Sequence, residues 1–244
     1  MKKPFGIIGY PLTISCSQGY FRKKFEQENL ADHSYERFPL ADISEFPELL
    51  KTHDFCGLNV TFPYKKAVIP YLHGLDESAA EAGAVNVIKF EKDGRLTGHN
   101  SDVYGFEQSF LPLLKPHHRS ALILGTGGAA AAVASILRKH NMPHQFVSRQ
   151  KTAEALTYPD LHQNGFGDAT VLINCTPLGM TPNTDTCVDL PYEKITAQFL
   201  CFDLVYSPDE TLFLQRSKAQ GAAIKNGLEM LDLQAVRAWE IWKC

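Results

Sequence analysis

The run Gly125-Thr126-Gly127-Gly128-Ala129-Ala130 constrains the fold of this chain more than any other feature. It fits G-x-G-x-x-A and sits between two segments of different periodicity: Ser120 to Leu124, a short apolar run, and Ala129 to His140, a strongly helical stretch. Strand, glycine turn and helix, in that order, present backbone amides to the pyrophosphate of a dinucleotide. Gly125 then makes the tight turn, Gly127 lets the amides approach, and Ala130 packs helix on strand, with Gly128 and Ala129 completing the cofactor-binding run. The negative charge faces the helix N-terminus.

Runs at Gln145 to Val147, Thr170 to Asn174 and Phe199 to Leu204 have the spacing of further strands in a doubly wound sheet. About twenty residues past the glycine turn, an NAD site places an acid on the ribose hydroxyl. Here the sequence reads Ser148-Arg149-Gln150-Lys151. A guanidinium and an ammonium suit a 2′-phosphate, which points to NADP; a solvated basic loop is the plain alternative.

A length of 244 residues allows two modest lobes with a cleft between them. In the front third, strands at Phe5 to Gly9, Tyr35 to Leu40 and Gly57 to Thr61 alternate with helices at Gln18 to Asn29 and Ile43 to Leu50. That order implies right-handed crossovers and a mostly parallel sheet, so the fold class is α/β. Val85 to Phe90 and Leu96 to His99, joined through Asp93-Gly94, read as a hairpin. Pro112 to His118 reads as a connection, and Leu228 to Trp242 as a closing helix docked by Trp239 and Trp242. Phe106, Phe110, Leu113 and Leu114 lie at helical spacing and read as core.

With 24 basic and 27 acidic residues, a net charge of −3 and no long run of either sign, nothing recruits nucleic acid or an anionic membrane. Two lysines precede an apolar stretch that Gly6, Gly9 and Pro11 break at once, so neither a signal peptide nor a transmembrane helix is expected. The six cysteines, Cys16, Cys56, Cys175, Cys187, Cys201 and Cys244, form no C-x-x-C pair, and no histidine cluster has metal-ligand spacing. They read as reduced thiols of a cytoplasmic protein that holds no metal. His99, His117, His118 and His162 show no partner spacing and read as loop or surface residues.

Several polar residues follow strand ends, where open α/β sheets present ligand-binding groups. In extended backbone Ser15 and Ser17 would turn both hydroxyls to one side, a pair suited to a carboxylate; a helix N-cap at Ser17 is the structural alternative. Lys65 lies just past one strand end and Asp102 at the mouth of another segment. Together they would share a proton, and oxidising a secondary alcohol needs a hydride acceptor plus a group that takes the hydroxyl proton. By spacing alone, a surface charge is the simpler reading of each.

Eight ordered motifs change that balance. They are Ser15-Cys16-Ser17; Asn59-Val60-Thr61 with Lys65; Ala82-Gly83-Ala84-Val85-Asn86; Asn100-Ser101-Asp102 with Gly105-Phe106; the glycine turn; Ile173-Asn174-Cys175-Thr176-Pro177-Leu178-Gly179-Met180; Asp203-Leu204-Val205-Tyr206; and Asn226-Gly227-Leu228-Glu229-Met230-Leu231 with Gln234. Along nearly its whole length the chain resembles the shikimate dehydrogenase family.

The resemblance implies NADP-linked interconversion of 3-dehydroshikimate and shikimate, in chorismate and aromatic amino acid biosynthesis, by a monomer or homodimer acting on this small molecule. It implies that Ser15 and Ser17 hold the carboxylate, and that Thr61, Asn86, Tyr206 and Gln234 contact the carboxylate or ring hydroxyls. Lys65 and Asp102 would flank the reacting hydroxyl, Lys65 being the stronger candidate for proton transfer. Gly227 and Met230 would lie near the nicotinamide, Thr176, Pro177 and Leu178 would line the cofactor cleft, and Val205 joins the same set. The implied domains are a substrate-binding α/β domain, 1–101 plus 226–244, and a Rossmann-like NADP domain, 102–225.

The chain departs from the family in four places. Ile14 replaces a histidine, Gln18 a proline and Ser148 an asparagine. The stretch from Arg149 to Ile173 is also shorter, as if a helix were reduced to the loop around Lys151 to Glu154. A quinate or dual-specificity quinate/shikimate dehydrogenase would use nearly the same residues. A non-catalytic nucleotide-binding sensor would have no use for Lys65 and Asp102.

Overall fold

The computed structural model describes residues 3–12, 15–153 and 155–243. The chain divides into two compact units, Met1–Tyr104 with Gln234–Cys244, and Gly105–Leu233.

The first unit contains β1 (Lys3–Gly9), α1 (Cys16–Gln27), β2 (His33–Pro39), α2 (Phe46–Thr52), β3 (Gly57–Val60), β4 (Gly74–Leu75), α3 (Glu77–Ala82), β5 (Val87–Phe90) and β6 (Leu96–His99). The chain continues through α4 (Ser101–Phe110), β7 (Ala121–Leu124), α5 (Gly128–Lys139), β8 (His144–Ser148), β9 (Ala155–Thr157) and α6 (Tyr158–Asn164). It ends with β10 (Val171–Asn174), β11 (Leu200–Asp203), α7 (Leu212–Ala219), β12 (Ala223–Lys225) and α8 (Leu228–Lys243). The divisions between units fall inside α4 and α8, whereas the sequence reading puts them at the start of each helix.

In the first unit the sheet order is β2-β1-β3-β5-β6-β4. Three pairings are parallel, β1 with β2 and β3 and β4 with β6; β5 runs antiparallel to β3 and β6. Strand β1 is buried on both faces, which explains its nearly unbroken apolar run. Phe5 and Ile7 join a cluster with Phe21, Phe25, Tyr35 and Trp239, while Ile8 faces the other way, toward Phe46, Leu58, Val60 and Ile88. Gly57 leaves room for the Trp242 indole, into which a Cβ would run, and the indole N–H donates to the Ile88 carbonyl at 3.1 Å. The Asp-Gly turn forms as the sequence implied, with Gly94 at φ +82°.

Short elements escape periodicity. Helix α3 is set by its caps: Asp76 accepts from the Ala79 N–H at 3.0 Å, and Gly83, at φ +58°, ends it in the left-handed conformation. Two histidines read as surface residues are otherwise. His118 is buried and accepts from the Lys115 N–H at 3.1 Å, and His99, in β6, has Nδ1 2.8 Å from an oxygen of Asp76.

The second unit's sheet is wholly parallel, in the order β12-β11-β10-β7-β8-β9. Every residue of β7, β10 and β11 is buried, as parallel strands covered on both faces must be. The order reverses between β7 and β10, so the turns after these two strands flank the switch point at which such sheets bind ligands. From β8 to β9 the chain crosses through residues 149–154 without a helix among the described residues, although parallel crossovers usually take a dozen residues or more. Lys151 lies on this short loop, while Glu154 is outside the described residues. Helix α6, absent from the sequence reading, starts only after β9, on a capping box of Thr157 and Asp160. No helix among the described residues is long and apolar enough to cross a membrane.

Candidate active site

Lys65 stands in the turn after β3, where its carbonyl accepts from the Val85 N–H at 2.7 Å. Asp102 is in the first turn of α4. Thirty-seven positions apart in sequence, they meet with Nζ 2.5 Å from Oδ2, their side chains 19% and 10% exposed. The other carboxylate oxygen accepts from Asn86 Nδ2 at 2.8 Å. Asn86 cannot turn over, because its Oδ1 accepts from the Ser101 backbone N–H at 2.7 Å. The Ser101 hydroxyl in turn donates toward Gln234 Oε1 at 3.4 Å. Asn86, Ser101, Asp102 and Gln234 are all buried. A charged pair held this far from water needs further hydrogen bonds, and Asn86 supplies one to the carboxylate. The structure thus gathers four predicted residues, Lys65, Asn86, Asp102 and Gln234; Ser101 stands in a quoted motif but has no role in the sequence reading.

The two serines differ from the alternation argument. Ser15 is extended, at φ −139° and ψ 114°, and its Oγ accepts from the Gln18 N–H at 3.3 Å, so Ser15 rather than Ser17 is the N-cap. Helix α1 begins at Cys16, and Ser17 lies inside it, so the backbone is not extended through both residues. Gln18, where a proline was expected, donates from Nε2 to the Tyr35 carbonyl at 3.2 Å and to Glu36 at 3.0 Å, tying α1 to β2. Ile14 lies outside the described residues. Thr61 is just past β3, its N–H donating to the Ile8 carbonyl at 2.9 Å.

In the second unit each position of the glycine turn does what its residue permits. Gly125 has φ +110°, which an L side chain rarely adopts, and a Cβ there would lie 3.2 Å from Thr176 Cγ2. Gly127, the N-cap of α5, has nothing within 4 Å of where a Cβ would be. Gly128 and Ala129 open the helix and Ala130 is fully buried. No side chain caps α5 and no acid lies in its first turn, so its amides suit a phosphate. Ser148 turns the chain after β8, its hydroxyl bonding to both the carbonyl and the N–H of Gln150, and Arg149 and Lys151 are exposed. These features fit a dinucleotide with a charged ribose.

The turn after β10 is braced from behind. Thr176 donates to Asn174 Oδ1 from its N–H at 3.0 Å and its hydroxyl at 2.7 Å, leaving Pro177 and Leu178 exposed. Asn174 donates to Asp203 at 2.9 Å, and Asp203 also accepts from the Val205 N–H at 3.0 Å and the Thr211 hydroxyl at 2.6 Å. Tyr206 follows on the same strand exit and is half-buried. Gly227 donates its N–H to the Val205 carbonyl at 3.1 Å, and a Cβ on it would run into the Leu204 carbonyl. Met230 is buried in the first turn of α8. Tyr206, Gly227 and Met230 belong to the second unit.

Burial pushes the Asp203 carboxyl up to about 6, outweighing its three donors. The unfolded value is about 3.9, so the folded protein binds this proton more tightly. The associated stability is present below about pH 3.9 and is lost as pH rises through about 6. Asp203→Asn keeps the shape and removes the titration. Urea unfolding between about pH 4 and 7 should therefore show a shallower decline for the variant than for wild type; parallel curves would mean that the donors, not burial, dominate.

Residues 7–88 match the family described as the shikimate dehydrogenase substrate binding domain. The shikimate dehydrogenase (NADP(+)) of Oleidesulfovibrio alaskensis is 35% identical over 251 residues, which cover 98% of this chain and 89% of that protein. The shikimate 5-dehydrogenase of Thermus thermophilus, solved in complex with NADP(H) and shikimate, is similar with a TM-score of 0.84 and 30% identity, covering 98% of this chain and 93% of that one. A quinate dehydrogenase from Corynebacterium glutamicum, solved with NAD, has the same TM-score, 0.84, at 26% identity, covering 99% of this chain and 93% of its own. With near-complete coverage at this identity, the chain belongs to the shikimate dehydrogenase family.

Proposed function

We propose that this chain reversibly reduces 3-dehydroshikimate to shikimate with NADPH, a step of the shikimate pathway. The observation that carries the reading is the Lys65–Asp102 pair, fixed by the immobilised amide of Asn86. A pure binder of nucleotides needs no such pair.

In the direction of oxidation, NADP supplies the hydride acceptor. Lys65 takes the hydroxyl proton as the neutral amine, becoming the ammonium, and in reduction that ammonium returns it, while Asp102 holds the ammonium and Asn86 holds Asp102. The Ser15 oxygen already accepts an N–H, so its own hydrogen is left to donate to a carboxylate, and Ser17, whose side chain also bonds to Tyr35, is assigned to the same group. Thr61, Tyr206 and Gln234 serve the carboxylate or ring hydroxyls. The first unit is the substrate domain and the second the NADP domain. Gly125, Gly127, Gly128 and Ala129 hold the pyrophosphate; Ser148, Arg149 and Lys151 hold the 2′-phosphate. Thr176, Pro177, Leu178, Val205, Gly227 and Met230 line the rest of the cofactor site.

The test is NADPH formation, followed by its near-ultraviolet absorbance, with shikimate and with quinate, each against NADP and NAD. Turnover with shikimate and NADP is expected. Equal turnover of quinate would make the enzyme dual-specific. No turnover from folded protein would overturn the reading.

A further inference from the structure

Two buried polar residues of the first unit have no part in the chemistry just described. Asn59 lies in β3 between Leu58 and Val60, which point into the apolar cluster on the opposite face of the sheet. Its amide is 5% exposed, and an unpaired amide there would be costly. Tyr35, in β2, is 1% exposed, and its phenol donates to Asn59 Oδ1 at 2.6 Å. Asn59 Nδ2 then donates to the backbone carbonyl of Asn86 at 3.1 Å. The same carbonyl accepts from the Val60 N–H at 2.9 Å, so residues 59 and 60 take both its lone pairs.

Asn86 stands one residue before β5, where the β3–β5 ladder has stopped at the Asn59–Val87 pair. Its side chain is the group that holds Asp102, and Asp102 holds Lys65. The direction of every bond is determined. The Asn86 carbonyl can only accept, so Asn59 must turn its nitrogen toward it and its oxygen toward Tyr35, which must donate. Burial pushes the Tyr35 hydroxyl well above its ordinary range, so it keeps the proton it donates, and the Ser17 side chain bonds to its oxygen.

We infer that Tyr35 and Asn59 are positioning residues for the Lys65–Asp102 pair, clamping the Asn86 peptide so that its side chain meets Asp102. The inference rests on the proposed role of that pair. Tyr35 and Asn59 act on Lys65 and Asp102 through Asn86.

Tyr35→Phe tests it, because the ring that stacks on Phe21, with centroids 4.8 Å apart, is retained and only the hydroxyl is lost, with its bonds to Asn59 and Ser17. A loss passed on through Ser17, assigned to the substrate carboxylate, would show in KM for shikimate rather than in kcat. Kinetics are measured at a temperature at which circular dichroism shows every variant fully folded. The expected result is a fall of about ten-fold in kcat for shikimate with KM for NADP unchanged, the size of effect that follows when a reacting group is displaced by a fraction of an ångström. A kcat within about two-fold of wild type overturns the inference.

The double variant Tyr35→Phe with Asn59→Leu removes both partners, which relieves the stability penalty of an unpaired buried amide. If the pair positions Asn86, kcat stays low in the double variant. Recovery of kcat would make the single variant's loss a matter of the orphaned amide and overturn the inference as well. If the double variant does not fold, the single variant decides. Lys65→Ala, measured alongside, separates the two levels: near-normal turnover there removes the role of the pair itself, whereas an inactive Lys65→Ala with a normal Tyr35→Phe removes only the clamp.

Discussion

Lys65→Ala should lower kcat for shikimate oxidation by about three orders of magnitude, within the range that a positioned acid–base group supplies. KM for NADP should stay near its wild-type value, because Lys65 belongs to the first unit, whereas the glycine turn and the loop after β8 belong to the second. The fold should survive. Removing one member of a buried ion pair costs about 3–5 kcal/mol when the other is left stranded. Asp102 is not stranded, since Asn86 still donates to it and the vacated ammonium position was 19% exposed and admits water. Initial rates, cofactor titration and thermal unfolding on the same preparation check all three statements. Near-normal kcat in a folded variant would remove Lys65 from proton transfer and leave the ammonium a binding role only.

Lys65 and Asp102 also mark where sequence legibility ends. The glycine turn is legible because each requirement is local: a positive φ at Gly125, open space at Gly127, a small buried side chain at Ala130. The Asp-Gly hairpin is legible for the same reason. The Lys65–Asp102 contact is not local. It exists because β3, β5 and β6 are neighbours in one sheet, which brings the turn after the first of them to the helix after the last, and single-chain spacing carries no such information. Only the ordered set of motifs brings the two residues into one hypothesis.

Asn59 is hidden differently. Its strand is buried on both faces, so the apolar pattern of Leu58 and Val60 announces a strand and says nothing of what the intervening amide bonds. The geometry of the serines departs from alternation because the helix starts one residue after Ser15, a boundary set by its cap rather than by periodicity. Strands β4 and β9 and helices α3 and α6 are too short for a period to show, and their caps and turns alone define them.

Arg149→Ala should raise KM for NADP by about thirty-fold and change KM for NAD by less than about two-fold, as loss of one charge-assisted bond to a phosphate implies. Arg149 is exposed at the start of the crossover, on a turn that the Ser148 hydroxyl closes against Gln150. The shortness of that crossover keeps Arg149 and Lys151 on one small loop at the end of β8. The two are not equivalent: a guanidinium grips phosphate with a planar fork, whereas the lysine left behind acts as a point charge. That residual charge bounds the loss, and added salt should narrow the gap between wild type and variant, since exposed charges are screened. KM for both cofactors at saturating shikimate, in both proteins and at two ionic strengths, is the measurement. An equal loss with NAD and NADP would assign Arg149 to the part of the dinucleotide the two share. No loss with either would mean that Lys151 and Ser148 suffice, and that the short loop selects its cofactor without the arginine.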